Sequence, residues 1–212
     1  MAHPWWVNLL IAVPLISYFF WQREPISITR AHLLVAAVFA ASFGVVEGAV
    51  VVYLRAVLGV TAGYGASLSE VARFSESLNR ALLEPVLPVS LLKVEVFREA
   101  ATILMLVSVA LLAASNRQGR WAMFLWAFAI WDITYYAILW ATIRWPSSLT
   151  DTDVLFLIPV VWISPVWFPL LVSMLSVAAV LLSRRPLFQP DHNAAKTCVG
   201  PKSQPRAFVR RP

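Results

Sequence analysis

The stretch Leu91–Leu106, LLKVEVFREAATILML, is apolar enough to sit in a lipid bilayer, yet it carries Lys93, Glu95, Arg98 and Glu99 within seven residues. An ionised residue at the centre of a spanning helix costs roughly 2.5–3.5 kcal/mol on insertion scales, so such residues turn inward and find partners. At 100° per residue, Glu95, Arg98, Glu99 and Thr102 share one arc of the helix, while Lys93 points away and can snorkel to the nearby surface. The stretch therefore reads as one wall of a helical bundle with a charged interior.

The rest of the 212-residue chain supports that solvent assignment: 60% of residues are hydrophobic and 13% charged, against roughly 25% charged in an average soluble domain. A window of about 20 residues, the length that crosses the hydrocarbon core, finds five apolar segments, at 4–21, 32–58, 89–114, 121–143 and 153–183. The expected fold is an all-α polytopic membrane bundle over residues 1–183, with a basic tail at 184–212. The first segment lacks the basic start and small-residue cleavage site of a signal peptide, and reads as a retained span.

The fifth segment is too long for one straight crossing: its 31 residues would run about 46 Å as a helix. The sequence LIPVVWISPVWFPLL, Leu157–Leu171, removes backbone donors at Pro159, Pro165 and Pro169. Residues that precede proline avoid helical geometry. A break at Pro159/Pro165 is expected, with a short outer piece to Ile163 and a spanning helix from Pro165.

Lys and Arg collect on the cytoplasmic side of a membrane. Seven of the seventeen lie in the tail, so the C-terminus is expected in the cytoplasm and the N-terminus outside. The short loops QREPISITR and NRQGR, with Arg23, Arg30, Arg117 and Arg120, are then inside. The membrane expected is a bacterial inner membrane. The outer loop SLSEVARFSESLNRALLEP opens on a capping-box pattern, Ser67 to Glu70, and reads as an amphipathic surface helix over 67–84. The tail has no periodicity and is expected to be disordered; attraction to anionic lipid accounts for its charge without nucleic acid as a partner.

The neighbouring segments supply partners for the charged arc. FAASFGVVEGAVVVYLR, Phe39–Arg55, carries Glu47 between Gly44 and Gly48, which let another backbone come close. WAFAIWDITYYAILW, Trp126–Trp140, carries Asp132 followed by Tyr135 and Tyr136. Measured from the outer segment ends, Glu47, Glu99, Arg98 and Asp132 lie about 16, 15, 13 and 17 Å deep, and Glu95 about 9 Å. Residues at one height can meet, so the candidate catalytic set is Glu47, Arg98, Glu99, Asp132 and Tyr136, the last favoured over Tyr135, with Glu99 expected as the general acid and Arg98 as the group that orients a carboxylate or an anion. Trp131 and Trp162 are expected to line an apolar pocket. Trp5, Trp6, Trp21, Trp121, Trp140 and Trp145 are expected in interfacial belts, and Thr102 and Ser164 to bond back to their own helix.

Three carboxylates against one arginine leave two outcomes: a cation completes the balance, or a carboxylic acid keeps its proton. Oxygen ligands Glu47, Glu95, Glu99 and Asp132 would suit a divalent metal such as Mg²⁺, Ca²⁺ or Mn²⁺. Three histidines, none deep in an apolar run, argue against haem, and the single Cys198 against a cysteine metal site. The chain has no P-loop, GxGxxG, HExxH, GxSxG or CxxC, so nucleotide-driven chemistry is not expected. Three readings stay open: a membrane-embedded enzyme whose carboxylates perform acid–base or metal chemistry on an apolar, lipid-like molecule; a proton- or cation-coupled transporter component, as a homo-oligomer; and a structural subunit of a larger membrane complex.

Overall fold

The computed structural model describes residues 2–24, 26–57 and 89–184. The amphipathic helix expected at 67–84 and the tail beyond Arg184 lie outside these residues. The described chain is mostly helical. A 3-10 segment, Trp5–Ile11, runs into α1, Ala12–Arg23. It is followed by α2, Arg30–Val57, α3, Val89–Ala113, and α4, Arg117–Ile143. A two-stranded antiparallel hairpin, β1 Thr152–Phe156 and β2 Trp162–Pro165, leads into α5, Trp167–Leu182. Four helical stretches, Trp5–Arg23, Arg30–Arg55, Lys93–Ala113 and Arg117–Ile143, are long and apolar enough to cross a membrane.

Helix α4 is the centre of the bundle. Half of its most apolar window is buried in protein, against 22–28% in the other three long stretches, whose outward faces carry Val, Leu and Phe side chains suited to lipid. Its start is fixed by Asn116, whose side chain accepts from the Gly119 N–H at 2.6 Å. Its end is set by Arg144 in a left-handed conformation, φ 56°, with the Arg144 N–H on the Trp140 carbonyl.

α2 lies along α4 over the glycine pair. A Cβ on Gly44 would stand 2.6 Å from the Trp131 carbonyl oxygen and 2.9 Å from Thr134 Cβ, so only glycine admits this approach. The ends of the elements alternate. Gln118 at the start of α4 bonds Glu24 after α1, and Arg184 after α5 bonds the Ile28 carbonyl before α2. At the opposite end, His3 and Ile163 exchange backbone hydrogen bonds at 2.7 and 2.8 Å, adding the N-terminus to the edge of β2.

Two expectations are corrected. The chain is not all-α: the outer piece of the fifth segment is the β-hairpin, and α5 begins at Trp167, two residues past the expected start. Pro159 and Pro165 exclude helix, and the Val154, Phe156, Trp162 and Ile163 of the two strands favour extended backbone, so the piece satisfies its donors across a ladder. α5 is 16 residues, about 24 Å, shorter than the long helices. The tryptophan belts also need revision. Trp5, Trp121 and Trp140 are exposed as expected, but Trp21 and Trp145 are fully buried; Trp145 packs on Tyr136 and lies beneath Arg55.

Candidate functional site

The elements enclose a cavity of about 750 Å³, within the roughly 300–1,000 Å³ typical of small-molecule sites. Its long wall is one face of α4. Residues three or four apart stack along the helix, placing Trp121, Phe124, Phe128, Trp131 and Tyr135 in a ladder with centroid separations of 5.4–6.3 Å. Trp162 and Phe156 of the hairpin and Phe168 of α5 close the far side.

Five carboxyl groups and two guanidiniums line this space, arranged in separate knots. The first ties α2 to α3. Arg98 forms ion pairs with Glu47 and with Glu95, its Nε reaching Glu95 Oε2 at 3.0 Å. The Thr102 hydroxyl lies 2.7 Å from Glu47 Oε1 and 3.0 Å from the Arg98 carbonyl, so it shares its hydrogen between the predicted back-bond and the acid.

The second knot is Glu99, buried and turned toward the hairpin loop. The Leu157 N–H donates to both its oxygens, at 2.8 and 3.0 Å. The third is Asp132, buried on α4, which accepts from the Ser173 hydroxyl of α5 at 2.8 Å. Among the described residues Asp132 has no cation within 4 Å. The fourth is a hydrogen bond from the Tyr136 hydroxyl to Asp153 of β1 at 2.8 Å.

All five candidate catalytic residues therefore border one cavity, but they do not form one cluster. The expected metal set Glu47, Glu95, Glu99 and Asp132 is not gathered: among the described residues no three His, Cys, Asp or Glu side chains come together as metal ligands. Glu47 and Glu95 are committed to the Arg98 guanidinium, which occupies the place of the cation, while Glu99 is drawn away to the hairpin and Asp132 to α5.

Four features of the site escape sequence reasoning. Asp153 reads as an outer-loop acid but is buried against Tyr136. Arg55, eight residues after Glu47 and so about 80° round the helix from it, is only 4% exposed and sits 4.2 Å above the Trp145 ring. Tyr135, not only Tyr136, faces the cavity. The indole N–H groups of Trp131 and Trp162, also in the lining, have no acceptor among the described residues. The i, i+8 spacing of Glu47 and Arg55 was the available signal for one of these; Asp153 had none, because the hairpin that buries it is a tertiary feature.

Asp153 lies outside the long apolar helices. Burial pushes its carboxyl up to about 6 from an ordinary value of 3.8, against the opposing pull of Arg55, the Tyr136 hydroxyl and the Val154 N–H. The folded chain thus holds this proton more tightly than the unfolded chain. Stability from this group is present below about pH 4 and is lost as pH rises through about 6, a change of roughly 2–3 kcal/mol. Asp153→Asn, which still accepts from Tyr136, should match or exceed wild-type melting temperature at pH 8. That advantage should vanish at pH 4.5, as thermal unfolding in detergent at both pH values would read.

No family model matches the chain, and no curated protein or solved structure shows significant similarity to it.

Proposed function

We propose that this chain is a multi-pass enzyme of the cell membrane that binds an apolar molecule in the intramembrane cavity and performs acid–base chemistry on it. The observation that carries the reading is the pairing of an aromatic-walled 750 Å³ cavity with the buried carboxyl of Asp132, which borders it without a cationic partner within 4 Å among the described residues. A carboxyl placed among apolar groups with one hydroxyl donor is suited to hold a proton and deliver it, the role of a general acid. Glu99, whose two oxygens both accept from the Leu157 N–H, is a second carboxyl held in fixed position beside the cavity to exchange a proton with the bound molecule. Glu47 and Glu95 both pair with Arg98 and shape the wall, and Tyr136 with Asp153 closes the end beside the hairpin.

In this reading α5, preceded by the hairpin, makes a fifth crossing. The end that gathers Arg23, Arg30, Arg117, Arg120 and Arg184 faces the cytoplasm, and the N-terminus and hairpin face outward in a bacterial inner membrane. The clustering of those arginines at one end of the element order supports this orientation.

Solvent isotope incorporation tests the chemistry. Protein purified in mild detergent with its extractable small molecules is incubated in D₂O, and the extract is analysed by mass spectrometry. Wild type should introduce deuterium at carbon in a bound apolar molecule, and Asp132→Asn should slow this by about 10²–10⁴-fold while folding normally, the range expected for loss of a general acid. Equal incorporation by Asp132→Asn, or no apolar molecule retained by wild type, would overturn the proposal.

A further inference from the structure

Arg55 is a buried charge that no described residue answers with an ion pair. Among the described residues its guanidinium has no carboxylate within 4 Å and donates no hydrogen bond, and its Nε is completely covered without an acceptor. Asp153, whose charge it feels from beyond that distance, is hydrogen-bonded to Tyr136, and the close partner of Arg55 among the described residues is the Trp145 ring beneath it. A buried carboxyl without a cation can keep its proton and become neutral, but arginine stays charged in proteins, so of the unpaired groups around the cavity Arg55 alone cannot escape its cost by titrating. It also borders the cavity, as does Tyr135, whose hydroxyl donates no hydrogen bond to a described residue. The planar fork of an arginine and a phenol on the wall of one cavity suit a carboxylate or phosphate group.

The remainder of the cavity says what such an anion is attached to. From Tyr135 the aromatic ladder continues along α4 to Trp121, fourteen positions away, an apolar track of about 21 Å. Arg55 stands at the hairpin end of that track, close to the end of α2. We infer that the cavity's ligand is a single-chain anionic amphiphile, with a carboxylate or phosphate head seated on Arg55 and Tyr135 and a hydrocarbon chain lying along the α4 ladder. This rests on the reading above that the cavity takes an apolar molecule, and adds the head group that orients it.

The test uses the full chain in nanodiscs of zwitterionic lipid, with tritiated oleic acid and tritiated oleyl alcohol as probes in a scintillation proximity assay. Wild type should bind the acid about tenfold or more tightly than the alcohol, as expected for a charge-assisted hydrogen-bonded head. Unlabelled oleyl phosphate should displace the acid, and inorganic phosphate should not. Arg55→Gln should lose the preference for the acid while keeping the affinity for the alcohol, and Arg55→Lys should retain part of the preference. Equal binding of acid and alcohol by wild type would overturn the inference and leave the apolar cavity intact. Binding of neither would remove both. Displacement of the acid by inorganic phosphate as readily as by oleyl phosphate would overturn the amphiphile in favour of a free-anion seat. The wild-type comparison stands even if the Arg55 variants fail to fold.

Discussion

Arg98→Ala should cost about 3–5 kcal/mol of stability, the loss typical of removing one partner from a buried ion pair. The cost comes from what stays behind. Glu47 is buried; the Thr102 hydroxyl serves its Oε1, and among the described residues its Oε2 faces no partner but the Arg98 guanidinium. Glu95 turns toward the same guanidinium, and without it two carboxylates share a poorly hydrated space. α3 packs chiefly on α4 and touches α2 sparsely, which makes this triad the principal tie between α2 and α3. The companion experiment is the triple variant Glu47→Gln, Glu95→Gln, Arg98→Met, which removes all three charges at similar volume. It should recover most of the loss, because a buried ion network replaced as a whole is often neutral in stability. Denaturation in mixed detergent micelles reads both. A loss below about 1 kcal/mol for Arg98→Ala would mean that the triad does not hold the helices together.

The glycine pair on α2 should give the second large effect, and a contrast within it. At Gly44 an added Cβ meets the Trp131 backbone oxygen at 2.6 Å, which cannot move without displacing α4. Gly44→Ala should therefore destabilise by about 1–3 kcal/mol, and Gly44→Leu by more, because overpacking at a backbone contact forces the helices apart. Separation there also moves Glu47 relative to Asp132, so any ligand held between them should be lost with it. At Gly48 the obstacle is Ile138 Cγ2, the end of a side chain. Gly48→Ala should be rescued by Ile138→Ala, whereas no side-chain substitution on α4 should rescue Gly44→Ala. Melting temperatures of the four variants separate the two cases, and rescue at both positions would show that the helices are not in backbone contact at Gly44.

The residues of the site were legible to different depths. Glu47 and Arg98 could be brought together from sequence because each sits at a countable height on its own helix, and an arginine among carboxylates at that height will find one. The glycines beside Glu47 likewise announced a close helix approach. Glu99 was legible as a buried acid but not in its role, since its donor, the Leu157 N–H, exists only because the chain turns there between two strands. Ser173 was invisible as a partner of Asp132 for a related reason: the start of α5, and with it the face that α5 presents to α4, follows from where the hairpin ends. Treating 153–183 as a broken helix put the start of the inner helix two residues early and missed the hairpin before it, because proline reports only that helix stops and not what replaces it.

What the sequence by itself determined is therefore the long helices, apolar and long enough to cross a membrane, and the position of each charge along its own helix, because hydrophobic length and a rise of 1.5 Å per residue are properties of a single segment. What only the tertiary structure decided is which charges are answered. Among the described residues Arg98 pairs with both Glu47 and Glu95, Asp132 receives a hydroxyl but no cation, and Arg55 receives an aromatic ring but no ion pair. Those outcomes depend on the azimuth at which one helix meets another and on a hairpin folded over their ends. Pairing acts over a few ångströms, and no single segment carries that geometry.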